Sequence, residues 1–140
     1  MKRVTMLVLA GLLTTGIGFA QAQTGETPAT VDGAKTVSIA EAKGMLGNGL
    51  AIFDVRKKAS YMEGRLPKAK SIKKNDDTKA FDAATFGGSK ETPILIYGHG
   101  TDGWSSVDAV KAAIAAGHKN VHWMRDGWAA WSKAGMPVEE

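Results

Sequence analysis

Cysteine is absent from all 140 residues. That excludes disulfide bonds as a source of stability and excludes thiol chemistry from this polypeptide. A large excess of one charge is also lacking: 18 Lys and Arg stand against 14 Asp and Glu, a net of +4. Two of those cations, Lys2 and Arg3, lie at the very start, and without them the balance is 16 to 14, or +2. With no dense Lys/Arg stripe and no interleaved aromatics, nothing points to nucleic acid as a partner. No internal repeat is visible. The one long apolar run, residues 4–19, is broken by threonines and glycines and is short for a bilayer span.

That run has its own logic. It follows the basic pair Lys2-Arg3 and ends at Ala20-Gln21-Ala22, small residues one apart of the kind a signal peptidase accepts. The expected organisation is a secretory signal peptide over residues 1–22 and a flexible leader over residues 23–35, rich in Thr, Gly, Ala and Pro. A single folded domain follows over residues 36–140. The mature protein is then expected in the periplasm or secreted, with no stable membrane insertion after cleavage. Without disulfides it must rely on its core alone.

Short apolar runs alternate with helical patterns along the domain. Ser38-Ile39-Ala40-Glu41 is a capping box opening a short helix that Gly47 stops. Residues 50–55, LAIFDV, and residues 94–97, ILIY, are continuous apolar runs that suit parallel strands buried on both faces. One helical turn is expected near residues 59–63, a short strand by Ile72, and a helix over residues 79–85 that turns Phe81 and Phe86 inward. A helix over residues 106–116 carries Val107, Val110 and Ile114 on one stripe, with Ser105 and Asp108 as its capping pair and Gly117 as its end. A strand at residues 121–124 and a helix at residues 128–133 close the chain. The pattern predicts a three-layer α/β domain with a mainly parallel sheet.

The most informative stretch is residues 93–116: a buried strand, the loop Gly98-His99-Gly100-Thr101-Asp102-Gly103-Trp104, then Ser105 and a helix. A glycine-rich loop before a helix presents backbone N–H groups, and the helix N-terminus adds partial positive charge. Such a loop is a cradle for an anion. Asp54 and Arg56 fall at the C-terminal end of an earlier strand, the edge where open α/β sheets place their sites.

Three segments together resemble the rhodanese-like domain family, over roughly residues 36–139. Asp54-Val55-Arg56 with Gly64-Arg65-Leu66-Pro67 is similar to its D-V-R and G-H-I-P-G-A segments. The strand, loop and helix around residues 94–116 match its central unit. Gly117-His118-Lys119-Asn120-Val121, Asp126-Gly127-Trp128, Trp131 and Ala134-Gly135-Met136-Pro137-Val138 resemble its ending. The resemblance implies the three-layer rhodanese-like fold. It also implies a cysteine at position 98, which would carry sulfane sulfur as a persulfide, and in some relatives a second at 103. Both positions are glycine here. The arginine that relatives often carry near the helix start is replaced by Trp104 and Ser105. Arg65 stands in place of the family histidine, Asp126 in place of the first glycine of a pair, and Ser60 in place of the acidic residue expected to partner Arg56.

A sulfurtransferase is therefore not expected. The leading expectation is a binding module without cofactor. Its anion candidates are Gly98, His99, Gly100, Thr101, Asp102, Gly103, Trp104 and Ser105, with Asp54 and Arg56 in support. The partner is a small oxyanion in the loop or a protein at its rim. The alternatives are a hydrolase of phosphate or sulfate esters using His99 or Asp102, and a degenerate thiosulfate sulfurtransferase relative. Thr101, Ser105 and Ser106 bear hydroxyls, but no Ser–His–acid order is evident to activate one. His118 and His122 lie four apart across a loop-to-strand junction, not on one helix face, so no metal site is expected. Lys57-Lys58 and the basic stretch over residues 68–74 read as solvated lysines around a loop, or as a contact patch for an acidic partner.

Overall fold

A computed structural model describes residues 23–140; the expected signal peptide, residues 1–22, lies outside the described residues. Five strands form one sheet: β1 (Ala34–Thr36), β2 (Ala51–Asp54), β3 (Lys70–Ser71), β4 (Ile94–Tyr97) and β5 (Val121–Met124). Their order is β1-β5-β4-β2-β3 and every pairing is parallel. Four helices connect them: α1 (Ile39–Met45), α2 (Lys58–Glu63), α3 (Trp104–Ala115) and α4 (Gly127–Lys133).

Strand alternation divides the core between the two sheet faces. Phe53, Ile94, Ile96, Val121 and Trp123 face α3, where Val107, Val110 and Ala113 meet them. Ile52, Leu95, Tyr97 and Met124 face the other side, where Ala42 of α1 and Trp131 of α4 close over them. Central strands covered on both faces need apolar residues at every position, which is why residues 94–97 carry no polar break. The capping box of α1 forms as its sequence predicts, with the Glu41 amide on Ser38 Oγ at 3.1 Å and the Ser38 amide on Glu41 Oε1 at 3.2 Å. Among the described residues no helix is long and apolar enough to cross a membrane.

Three local expectations differ from what is observed. Residues 23–35 do not stand off as a flexible leader. Thr27 and Val31 are buried, β1 begins within this stretch at Ala34, and Arg125 holds it from the end of β5. Arg125 Nη2 donates to the Thr27 carbonyl at 2.7 Å and Nε to the Pro28 carbonyl at 2.9 Å. These partners lie about a hundred residues away, so no local periodicity announces them. The second difference is at α3, which begins at Trp104 with Gly103 as N-cap and no side-chain cap. Asp108 is drawn to Lys74 Nζ at 2.6 Å and to Gln23 Nε2 at 2.8 Å instead of capping with Ser105. Third, residues 79–85 are not a helix. Asn75 Oδ1 accepts from the amides of Asp77 and Thr78, an Asx-type turn, and Lys79 sits at φ +57°. Only a 3-10 turn at Ala83–Phe86 remains, although Phe81 and Phe86 are buried as expected.

Candidate functional site

The loop leaves the C-terminal end of β4 and enters α3. Its carbonyls and its amides behave oppositely. Every carbonyl from Gly98 to Asp102 accepts a hydrogen bond. Trp128 N donates to Gly98 O at 2.9 Å, Ala129 N to His99 O at 2.8 Å and Gly103 N to Gly100 O at 2.9 Å. Thr27 N reaches Thr101 O at 2.8 Å, and Trp104 N reaches Asp102 O at 3.0 Å. By contrast, the N–H groups of Gly98, His99, Gly100, Thr101 and Asp102 donate to no acceptor among the described residues. Unpaired amides in a run at a helix N-terminus make an anion-binding concavity.

The loop is held from both sides. Thr27 Oγ1 also donates to Thr101 O at 2.6 Å, and the Trp104 indole donates to Gly25 O at 3.0 Å, so the leader fixes the outer rim. On the inner side, Ser106 Oγ donates to Gly103 O at 2.6 Å and accepts from Trp123 Nε1 at 3.0 Å, tying the start of α3 to β5. Gly127 (φ +66°) comes so close that a Cβ there would lie 2.7 Å from Gly100 N and Gly98 O. Only glycine lets α4 approach the loop this closely.

A cavity of about 340 Å³ opens beside the loop. Among the candidates, Gly98, His99, Asp102, Gly103, Trp104, Ser105 and Arg56 line it. Gly100 and Thr101 do not; they border a separate hollow beside Gly25 and Glu26. Ser106, weighed for its hydroxyl, also lines the cavity, as do Gln23, Val55 and Lys57, which the sequence did not single out for it. Lys57 is legible as a neighbour of Arg56, whereas nothing local marks Gln23.

Arg56 lines the cavity, whereas its partner Asp54 does not, and both are otherwise occupied. Both side chains are buried. Arg56 Nη2 donates to Asp54 Oδ2 at 2.7 Å and to Gly64 O at 2.6 Å, and Nε to both carboxylate oxygens at 3.1 Å. The guanidinium lies over the Trp128 ring at 4.4 Å. Asp54 thus supplies the partner that Ser60 cannot. The Tyr97 hydroxyl donates to Asp54 Oδ2 at 2.6 Å and accepts from Leu66 N at 3.1 Å. Burial first, and then the adjacent Asp54 charge, push the Tyr97 hydroxyl far above its usual range, so it stays a donor.

His99 and Asp102 are exposed, and no hydrogen bond orients either side chain among the described residues. Among those residues no three His, Asp or Glu side chains gather as a metal site. His118 is buried against Phe86, and its Nδ1 has no partner among the described residues. His122 Nδ1 lies 3.2 Å from Ile94 O.

The rhodanese-like domain family matches residues 38–134, most of the chain. The chain belongs to this family. A rhodanese-like domain of an Anabaena sp. protein is 30% identical, with a TM-score of 0.53 over 65% of this chain and 99% of that one. A second structure from the same Anabaena protein gives 26% identity and a TM-score of 0.61, covering 74% and 90%. A Rhodopseudomonas palustris protein, described as of unknown function and a possible tyrosine phosphatase, shares the fold at 23% identity and TM-score 0.60, covering 81% and 99%. No curated protein matches the chain. This rhodanese-like domain therefore has the family's parallel sheet while carrying no cysteine.

Proposed function

We propose that this rhodanese-like domain is an exported, periplasmic or secreted, binding module that does not transfer sulfur. A small oxyanion occupies the loop cradle. The observation that carries the reading is the loop's polarity: among the described residues five consecutive carbonyls are satisfied and the five amides of the same residues are not, and three of those residues, Gly98, His99 and Asp102, line the loop cavity. A thiolate or bound anion would accept from them, and position 98 supplies no thiolate. The helix N-terminus of α3 adds to the attraction. Arg56 contributes shape and not charge, since Asp54 already neutralises it.

The hydrolase reading has less behind it. The Rhodopseudomonas palustris neighbour contributes the fold alone. His99 and Asp102 lack the third group that would hold a general base in place. Steady-state assays of the exported protein decide between these readings. Neither thiocyanate from thiosulfate and cyanide nor hydrolysis of aryl phosphates or sulfates is expected above background. Turnover of thiosulfate would overturn the binding-only reading. Ester hydrolysis lost in His99→Ala or Asp102→Ala would establish the hydrolase instead.

A further inference from the structure

A cavity of about 660 Å³ lies next to the loop cavity and shares Val55, Arg56, Lys57 and Ser105 with it. Its existence follows from the sheet order. β2 and β3 are parallel neighbours, so the segments that leave them emerge at the same edge. This brings Lys57-Lys58 and Lys73-Lys74, sixteen positions apart in sequence, onto one rim. The floor is apolar, with Val55, Ile72 and Phe81. No acidic residue lines it.

The four lysines are not equivalent. Lys74 is committed to Asp108 at 2.6 Å, and Lys58 lies over the Tyr61 ring at 4.8 Å. Lys73 meets Asp76 only at 3.5 Å with both side chains 82% exposed, an ion pair of little strength. Lys57 has no carboxylate within salt-bridge distance among the described residues. Among the described residues, Lys57 and the weakly paired Lys73 are thus the lining cations open to a ligand.

We infer that this cavity binds an organic anion with an apolar body, the body on Val55, Ile72 and Phe81 and the charged group toward Lys57 and Lys73. An inorganic oxyanion would fill only a small part of such a volume, and an uncharged apolar ligand would leave the lysine rim without a counterion. The site goes beyond the cradle reading, because Ile72, Phe81 and Lys73 lie outside the loop cavity.

The test compares three probes on the mature protein by calorimetry and backbone-amide NMR: 1-naphthalenesulfonate, neutral 1-naphthalenemethanol and inorganic sulfate. The sulfonate is expected to bind at least about tenfold tighter than sulfate, through the added apolar burial. It should also bind about tenfold tighter than the alcohol, through charge. Its shifts should fall on Lys57, Ile72, Lys73 and Phe81. The double variant Lys57→Gln/Lys73→Gln, at exposed positions that leave the core intact, should weaken the sulfonate and not the alcohol. A sulfonate that binds no tighter than sulfate would overturn the inference, whatever sulfate does at the loop. Equal binding of sulfonate and alcohol, unaffected by the lysine changes, would overturn it too. Sulfate that leaves Gly98 to Ser106 unshifted, while the sulfonate shifts Ile72 and Phe81, would refute the cradle and uphold this cavity.

Discussion

Restoring a thiol at position 98 asks whether the loop still forms an anion cradle. A Cβ on Gly98 would meet Ser106 Cβ and Val55 Cγ2 at 3.4 Å and Ser106 Oγ at 3.7 Å, all ordinary contacts, and its backbone lies outside the left-handed region. Gly98→Cys should therefore leave the protein folded at a cost of about 1–3 kcal/mol. Position 103 differs: a Cβ there would lie 3.0 Å from Gly100 O, so Gly103→Cys must displace the loop backbone. The new sulfur at 98 would sit in the loop whose amides find no acceptor among the described residues, at the start of α3. Its pKa should fall from about 8.5 to about 7 or lower. The thiolate would then attack the outer sulfur of thiosulfate, forming a persulfide and releasing sulfite. Cyanide would remove that sulfur as thiocyanate and regenerate the thiolate. Thiol titration by absorbance at 240 nm and colorimetric thiocyanate detection read the two steps. A folded Gly98→Cys protein whose thiol titrates near about 8.5 would refute the claim that these amides favour an anion.

Arg56→Ala removes one half of a buried ion pair and leaves Asp54 charged without it, so urea unfolding should show a loss of about 3–5 kcal/mol. A loss under about 1 kcal/mol would mean that the network does not hold the loop wall. Gly127→Ala should shift the amide resonances of Gly98 to Asp102 and cost about 2 kcal/mol or more, since the added Cβ meets loop backbone at 2.7 Å and φ is +66°; unchanged loop resonances would contradict it. Burial, then the Lys90 charge, hold the His118 pKa below its ordinary value. The unfolded chain therefore takes up the proton first. Stability should be full above about pH 6.5 and be lost as pH falls from there toward the folded pKa. His118→Phe removes the unpartnered Nδ1 and should flatten the thermal-melting profile between pH 7.5 and pH 5; an unchanged profile would assign the acid sensitivity elsewhere.

The parts of the fold legible in the sequence are those set by local pattern. Residues 94–97 read as a doubly buried strand because every position is apolar, and Ser38 with Glu41 announces the start of α1 within four residues. The position of the loop between a strand and a helix was legible for the same reason. What was illegible depends on partners distant in sequence. Residues 23–35 look unstructured until Arg125 and Thr101 meet Thr27. Asp108 looks like a helix cap until Lys74 reaches it across 34 positions. The two lysine pairs become one rim only through the adjacency of β2 and β3. Gly127 stands in the sequence as part of the family-like ending, and its close approach to the loop is a property of α4 packing alone.

The central claim is that the loop binds an oxyanion through its backbone. A backbone-amide NMR titration of the mature domain with thiosulfate, sulfate, sulfite and phosphate tests it most directly. Saturable shifts confined to Gly98 through Ser106 are the expected result, largest at the amides that have no acceptor within the described chain. Silence across that loop at millimolar anion, with the domain folded, would contradict it.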